Sequence, residues 1–187
     1  MLNFYFSWMP NSYYIIGQCG YELFIWDALT GKVLKSFEPR GLEKCDISSI
    51  SPDGNLITLN RSEDLYLYDL NSNKIIWHFN TNRMSNISIN DIEYDIWREA
   101  EYTGTPVFYN ITSVSWSPNG YFIAISAEDA SLRILNASNG KILFDTGSIS
   151  YRPYVTIWSP TGNYLASFTP CCEKEYNHIE LWKIKYH

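Results

Sequence analysis

One four-residue turn recurs along this chain. It appears as Ser51-Pro52-Asp53-Gly54, Ser117-Pro118-Asn119-Gly120 and Ser159-Pro160-Thr161-Gly162, with Met9-Pro10-Asn11-Ser12 as a degenerate fourth copy. The prolines are 42, 66 and 42 residues apart, which describes four copies of a unit near 42 residues with an insertion between the second and third. A repeat of that length decides the architecture before any single motif does. The chemistry of the turn agrees: proline presets φ at the second position, Ser, Asp or Asn bonds local backbone groups, and glycine closes the turn.

Around each turn the same pattern unfolds. Two residues before the prolines stand Trp8, Ile50, Trp116 and Trp158, each ending a short run such as Ile111-Thr112-Ser113-Val114-Ser115-Trp116 that reads as a strand. A second β-type run follows each turn: Tyr13 to Gly17, Leu56 to Asn60, Tyr121 to Ser126 and Tyr164 to Phe168. A third ends at Trp26-Asp27, Tyr68-Asp69, Leu135-Asn136 or Trp182-Lys183, at offsets of 16, 16, 17 and 22 from the proline. Thr30-Gly31-Lys32, Ser72-Asn73-Lys74 and Asn139-Gly140-Lys141 supply residues that tolerate positive φ in a tight hairpin. A fourth run follows over Val33 to Phe37, Ile75 to Phe79 and Lys141 to Phe144. The fourth copy ends on its third run, so its blade is expected to be incomplete.

Four antiparallel strands at a period of about 40 to 45 residues form a propeller blade. The Trp26-Asp27 dipeptide, the Ser-Pro-x-Gly turns and the Gly-Lys hairpins together resemble the WD-repeat family. The resemblance implies an all-β propeller region over residues 1–187, with blades at about 3–37, 47–79, 111–144 and 155–187 and an inter-blade insertion at about 80–110. It departs from the family pattern in two ways. No Gly-His dipeptide occurs, so the buried network built on that histidine does not carry over, and the second dipeptide survives only as Tyr68-Asp69. The resemblance implies a closed ring of about seven blades, and propellers as a class use about 4 to 8, whereas this chain has material for four less one strand, so it is expected to form an open arc or partial propeller. A fragment of a longer propeller, self-association into eight blades, or completion by another chain would each resolve the exposed edges. An isolated monomer is expected to be sticky.

Strand parity separates two rims. The first and third connections are short and nearly constant; the second and fourth carry the length changes, including the insertion and the stretch from Thr169 to Asn177. Loops displayed on a rigid scaffold commonly carry recognition. Within the insertion, residues 91 to 102 hold five acids, one base and the aromatics Tyr94, Trp97 and Tyr102. Aromatic and arginine side chains anchor interfaces, so Tyr94, Trp97, Arg98 and Tyr102, with Arg40 and Arg152 on the same rim, are the candidate protein-binding residues; the competing reading is an insert that packs its aromatics on the neighbouring blade, with the arginines as salt-bridged surface residues. The expected role is a non-catalytic scaffold for a protein or peptide, with a basic or amphipathic segment as the ligand of this acidic loop. The alternatives are an accessory or substrate-gating domain of an enzyme, or a translation- or RNA-associated propeller.

Composition narrows the rest. Fourteen basic and 20 acidic residues give a net charge of −6, without a Lys/Arg run, which disfavours nucleic acid as a partner. Met1 to Tyr21 carry no charged side chain, but polar residues and Pro10 interrupt any signal or span, so no membrane association is expected and a cytoplasmic setting, with the nucleus as an alternative, fits best. Cys19, Cys45, Cys171 and Cys172 do not form a disulfide framework, and reduced thiols are expected. Adjacent Cys171-Cys172 beside Glu173 and His178 lack zinc spacing, and His78, His178 and His187 fit no nucleophilic triad. No metal, cofactor or catalytic residue is therefore assigned. Glu63-Asp64 and Glu128-Asp129 recur at equivalent second connections, which marks them as structural turn residues.

Overall fold

A computed structural model of the chain describes residues 4–10, 13–39, 41–42, 45–81, 109–149, 152–170 and 177–185. Their regular structure is entirely β, arranged as four antiparallel sheets in which every strand pairs with its neighbour in sequence. The first sheet comprises β1 (Phe4–Trp8), β2 (Tyr14–Cys19), β3 (Glu22–Asp27) and β4 (Val33–Phe37). The second comprises β5 (Asp46–Ile50), β6 (Leu56–Arg61), β7 (Asp64–Asp69) and β8 (Lys74–Asn80). The third comprises β9 (Ile111–Trp116), β10 (Phe122–Ala127), β11 (Leu132–Asn136) and β12 (Ile142–Asp145). The fourth has three strands among the described residues, β13 (Val155–Trp158), β14 (Tyr164–Thr169) and β15 (His178–Lys183). Each sheet thus corresponds to one copy of the sequence repeat, as the WD-like pattern predicts.

The repeated turn is built by the hydroxyl that opens it. Ser51 Oγ donates to Asp53 Oδ1 at 2.6 Å and accepts from Leu56 N at 2.9 Å, while Gly54 N returns to Ser51 O at 2.9 Å. Ser117 repeats this with Asn119, Phe122 and Gly120. Gly54, Gly120 and Gly162 all take φ of 75°, a conformation that disfavours side chains. The end of the third strand is closed by an Asx turn. Asp27 Oδ1 accepts from Leu29 N and Thr30 N at 3.0 and 2.7 Å, and Asp69 and Asn136 do the same for Asn71 and Ser138.

Strand alternation gives each sheet a face toward its predecessor and a face toward its successor. The core consists of the three junctions between these faces. In the first, Ile16 and Leu23 meet Ile47, Ile57 and Tyr68; in the second, Leu65 and Leu67 meet Trp116, Ile123 and Leu135; in the third, Leu132 and Ile134 meet Trp158 and Leu165. Third-strand residues Leu23/Ile25, Leu65/Leu67 and Leu132/Ile134 are therefore the same aliphatic pair used three times. The residue two before each proline fills the opposite side, with Ile50 in the first junction and Trp116 and Trp158 buried in the second and third.

The two ends of the row are different. Phe6 and Trp8, on the outer face of the first sheet, are 74% and 56% exposed; Ile179 and Leu181, on the outer face of the fourth, are 65% and 72% exposed. The described sheets therefore form an open row with an apolar face at each end.

Candidate functional site

The rim formed by second and fourth connections is tied together by polar groups reaching between sheets. At the first junction Gln18, buried on β2, donates through Nε2 to Cys45 O at 2.7 Å and accepts from Ile47 N at 2.9 Å. Its amide satisfies backbone groups where the chain enters the second sheet.

At the second junction the same rim holds both ends of the long fourth connection. Thr81 N donates to Glu63 O at 2.9 Å, and Thr81 Oγ1 donates to Tyr109 O at 2.6 Å. Ile111 N then donates to Ser62 O at 2.8 Å, while Asn110 donates to Glu128 Oε2 through its backbone N at 3.2 Å and Nδ2 at 2.8 Å. Thr81 and residues 109–111, the described ends of this connection, are thus pinned to each other and to the turns of both flanking sheets. The Glu63 backbone carbonyl and the Glu128 carboxylate fix the base of the connection on two stacked sheets.

Beside this base, Asp64 Oδ1 pairs with His78 Nε2 at 2.6 Å and accepts from Asn80 Nδ2 at 2.7 Å. The His78 ring stacks on Tyr66, with centroids 4.6 Å apart. One sheet further on, the equivalent cross-strand pair is Arg133 and Asp145. Arg133 is 2% exposed; its Nε donates to Asp145 Oδ2 at 2.9 Å and its Nη2 to Asp129 Oδ2 at 2.5 Å. Asp129 also accepts from Ser131 N at 3.0 Å. Burial pushes the Asp129 carboxyl upward, but the Arg133 charge and the bonds from Ser131 and Arg133 outweigh it and hold the group below its ordinary value. Among the described residues, the buried Arg133 Nη1 has no hydrogen-bond partner. In a chain that has no Gly-His dipeptide, an Arg–Asp cluster here holds the turn between second and third strands.

Sequence reading did not find that cluster. Its signal was an arginine inside the apolar run Leu132-Arg133-Ile134-Leu135, with Asp129 and Asp145 at either side in sequence. Of the candidate binding residues, Arg152 is described and stands exposed on the variable rim next to buried Pro153. Arg40, Tyr94, Trp97, Arg98 and Tyr102 lie outside the described residues, as do Cys171, Cys172, Glu173 and His187. His178 pairs with Glu180 at 3.2 Å. Among the described residues, no group of three or more His, Cys, Asp or Glu is placed to hold a metal ion, and no helix is long and apolar enough to cross a membrane.

Stacked antiparallel sheets at this period, with Ser-Pro-x-Gly turns on one rim and variable connections on the other, define a propeller-type repeat protein, a class that serves in general as protein-interaction scaffolds and is generally non-enzymatic. The chain belongs to the WD40 family described as the anaphase-promoting complex subunit 4 WD40 domain, which it matches over residues 48–161. The matched region runs from β5 to the turn after β13 and spans the long connection. No curated protein matches the chain.

Proposed function

We propose that this protein is a non-catalytic scaffold that holds a basic or amphipathic segment of another protein on its variable rim, through the connection between β8 and β9. The observation that supports this reading most is the clamp at Thr81 and Tyr109. A long connection whose two ends are pinned to adjacent sheets presents its sequence from a fixed base, and loops on rigid supports are where recognition residues are commonly carried. The five acids of residues 91–102 supply the charge that attracts a basic segment. Tyr94, Trp97 and Tyr102 supply apolar anchors, and Arg98 a guanidinium for a carboxylate or backbone carbonyl. Arg152 stands exposed on the same rim. The matched family takes its description from a subunit of a multi-subunit complex, and the role we assign is of that kind, in the cytoplasm or nucleus.

The test is a fluorescence-anisotropy titration of basic amphipathic peptides with the full chain and with a Trp97→Ala/Arg98→Ala variant. Binding by the full chain and its loss in the variant, with the β-type circular dichroism retained, is the expected result. Equal binding by both would overturn the assignment to this loop.

A further inference from the structure

The two exposed end faces correspond, position by position, to the two sides of the junctions already buried inside the row. The outer face of the fourth sheet carries Ile179 and Leu181 at the third-strand positions filled by Leu132 and Ile134 in the third junction, and Tyr164 where the third sheet has Phe122. The outer face of the first sheet carries Trp8 at the position of Trp158. In the third junction Trp158 stacks on Phe122, with ring centroids 6.2 Å apart at 19°, and its Nε1 donates to Ser115 O at 3.1 Å. One face of the chain therefore offers the aromatic platform and aliphatic pair, and the other offers the tryptophan that such a platform accepts.

We infer that the occupant of each end face is the opposite end face of a second copy of this chain, two copies closing a ring of eight sheets. Trp8 of one copy then takes the place of Trp158 in the internal junction and lies on Tyr164 of the other. Phe6 takes the place of Thr156, whose backbone N donates to Ser113 Oγ at 3.1 Å, so it lies against Val155, the residue at the Ser113 position. A head-to-tail contact of this kind closes into a ring if the rotation per unit allows and otherwise grows into a filament. Eight sheets fall within the range that propellers use. Two such junctions remove both apolar end faces from water, with no surface left to propagate. The inference does not depend on what the variable rim binds; in the ring both copies present that rim on the same side.

The experiment is light scattering coupled to size exclusion on the purified 187-residue chain, with a charge swap to test the register. The unsubstituted chain is expected at twice its 21.8 kDa mass. Phe6→Glu and Val155→Lys are each expected to raise the dissociation constant by about 100-fold or more, because each buries an unpaired charge. The double variant Phe6→Glu/Val155→Lys is expected to restore the two-chain species, since each junction then holds one charge of each sign. A misfolded single variant would not be rescued in this way. A single-chain mass for the unsubstituted protein, a growing polymer, or failure of the double variant to recover the two-chain mass would each overturn the inference.

Discussion

Trp158 of the fourth sheet stacks on Phe122 of the third while its indole nitrogen donates to the backbone carbonyl of Ser115. One side chain thus supplies both the apolar and the polar part of a contact between repeats. Trp158→Ala removes both and leaves a cavity between Ala124, Leu132 and Leu165. A loss of about 3–5 kcal/mol of unfolding free energy is expected. Urea denaturation followed by circular dichroism reads it, and a loss below about 1 kcal/mol would mean that the third junction does not depend on this residue.

Arg133 tests whether the chain has replaced the histidine-based network with an ion cluster. Arg133→Met strands the buried Asp129 carboxylate and is expected to cost about 3–5 kcal/mol. Adding Asp129→Asn removes the stranded charge, so the double variant should recover at least half of that loss. Chemical denaturation of the three proteins decides it; additive losses would show that Arg133 and Asp129 do not act together.

The same cluster sets a pH dependence with a definite sign. Asp129 is held below the ordinary aspartate value of 3.8, so its carboxylate stabilises the folded state above that value. The contribution is lost as pH falls through the folded-state value and the group protonates. Thermal melts between about pH 5 and pH 2 should show a decline that Asp129→Asn makes shallower. An identical decline in both proteins would remove Asp129 from the cause.

Two hairpin glycines at equivalent positions separate backbone strain from packing. Gly31 and Gly140 have φ of 68° and 71°, yet a Cβ on Gly31 meets nothing within 4 Å, whereas one on Gly140 lies 3.0 Å from the ring of Trp77. Trp77 is itself fixed by donation from its Nε1 to Ala137 O at 2.8 Å. Gly31→Ala should cost about 1 kcal/mol from conformation alone, and Gly140→Ala a further 1 kcal/mol or about that from displacing the ring. Equal melting temperatures for the two variants would show that Trp77 yields freely.

The features legible in the sequence are those whose physics is local. Ser51, Ser117 and Ser159 bond within five residues of themselves, as do Asp27, Asp69 and Asn136, so in each case three of the four copies repeat the same residue type at a similar place. What the sequence concealed depends on distant partners. Gln18 reads as a polar interruption of β2 until Cys45 and Ile47, 27 and 29 residues away, are seen to take its amide. Arg133 reads as a surface charge until its burial, at 2% exposure, is seen. The position of the variable rim was legible because parity alone sets it, and the bonds at Thr81, Asn110 and Glu128 lie on it. The chemistry of that rim was legible only as composition; of its named candidates, Arg152 alone stands among the described residues.

The clamp at the base of the long connection allows scaffold and recognition to be separated in one experiment. Because Thr81 Oγ1 and Tyr109 O are 2.6 Å apart, a Gly-Ser-Gly linker in place of residues 82–108 spans the gap without disturbing either sheet. The measurement is peptide binding by anisotropy, paired with a thermal melt, for the full chain and the linker variant. An unchanged cooperative melt with binding abolished is the expected result. Binding of equal affinity by the linker variant would place recognition elsewhere and contradict the role assigned to the variable rim's long connection.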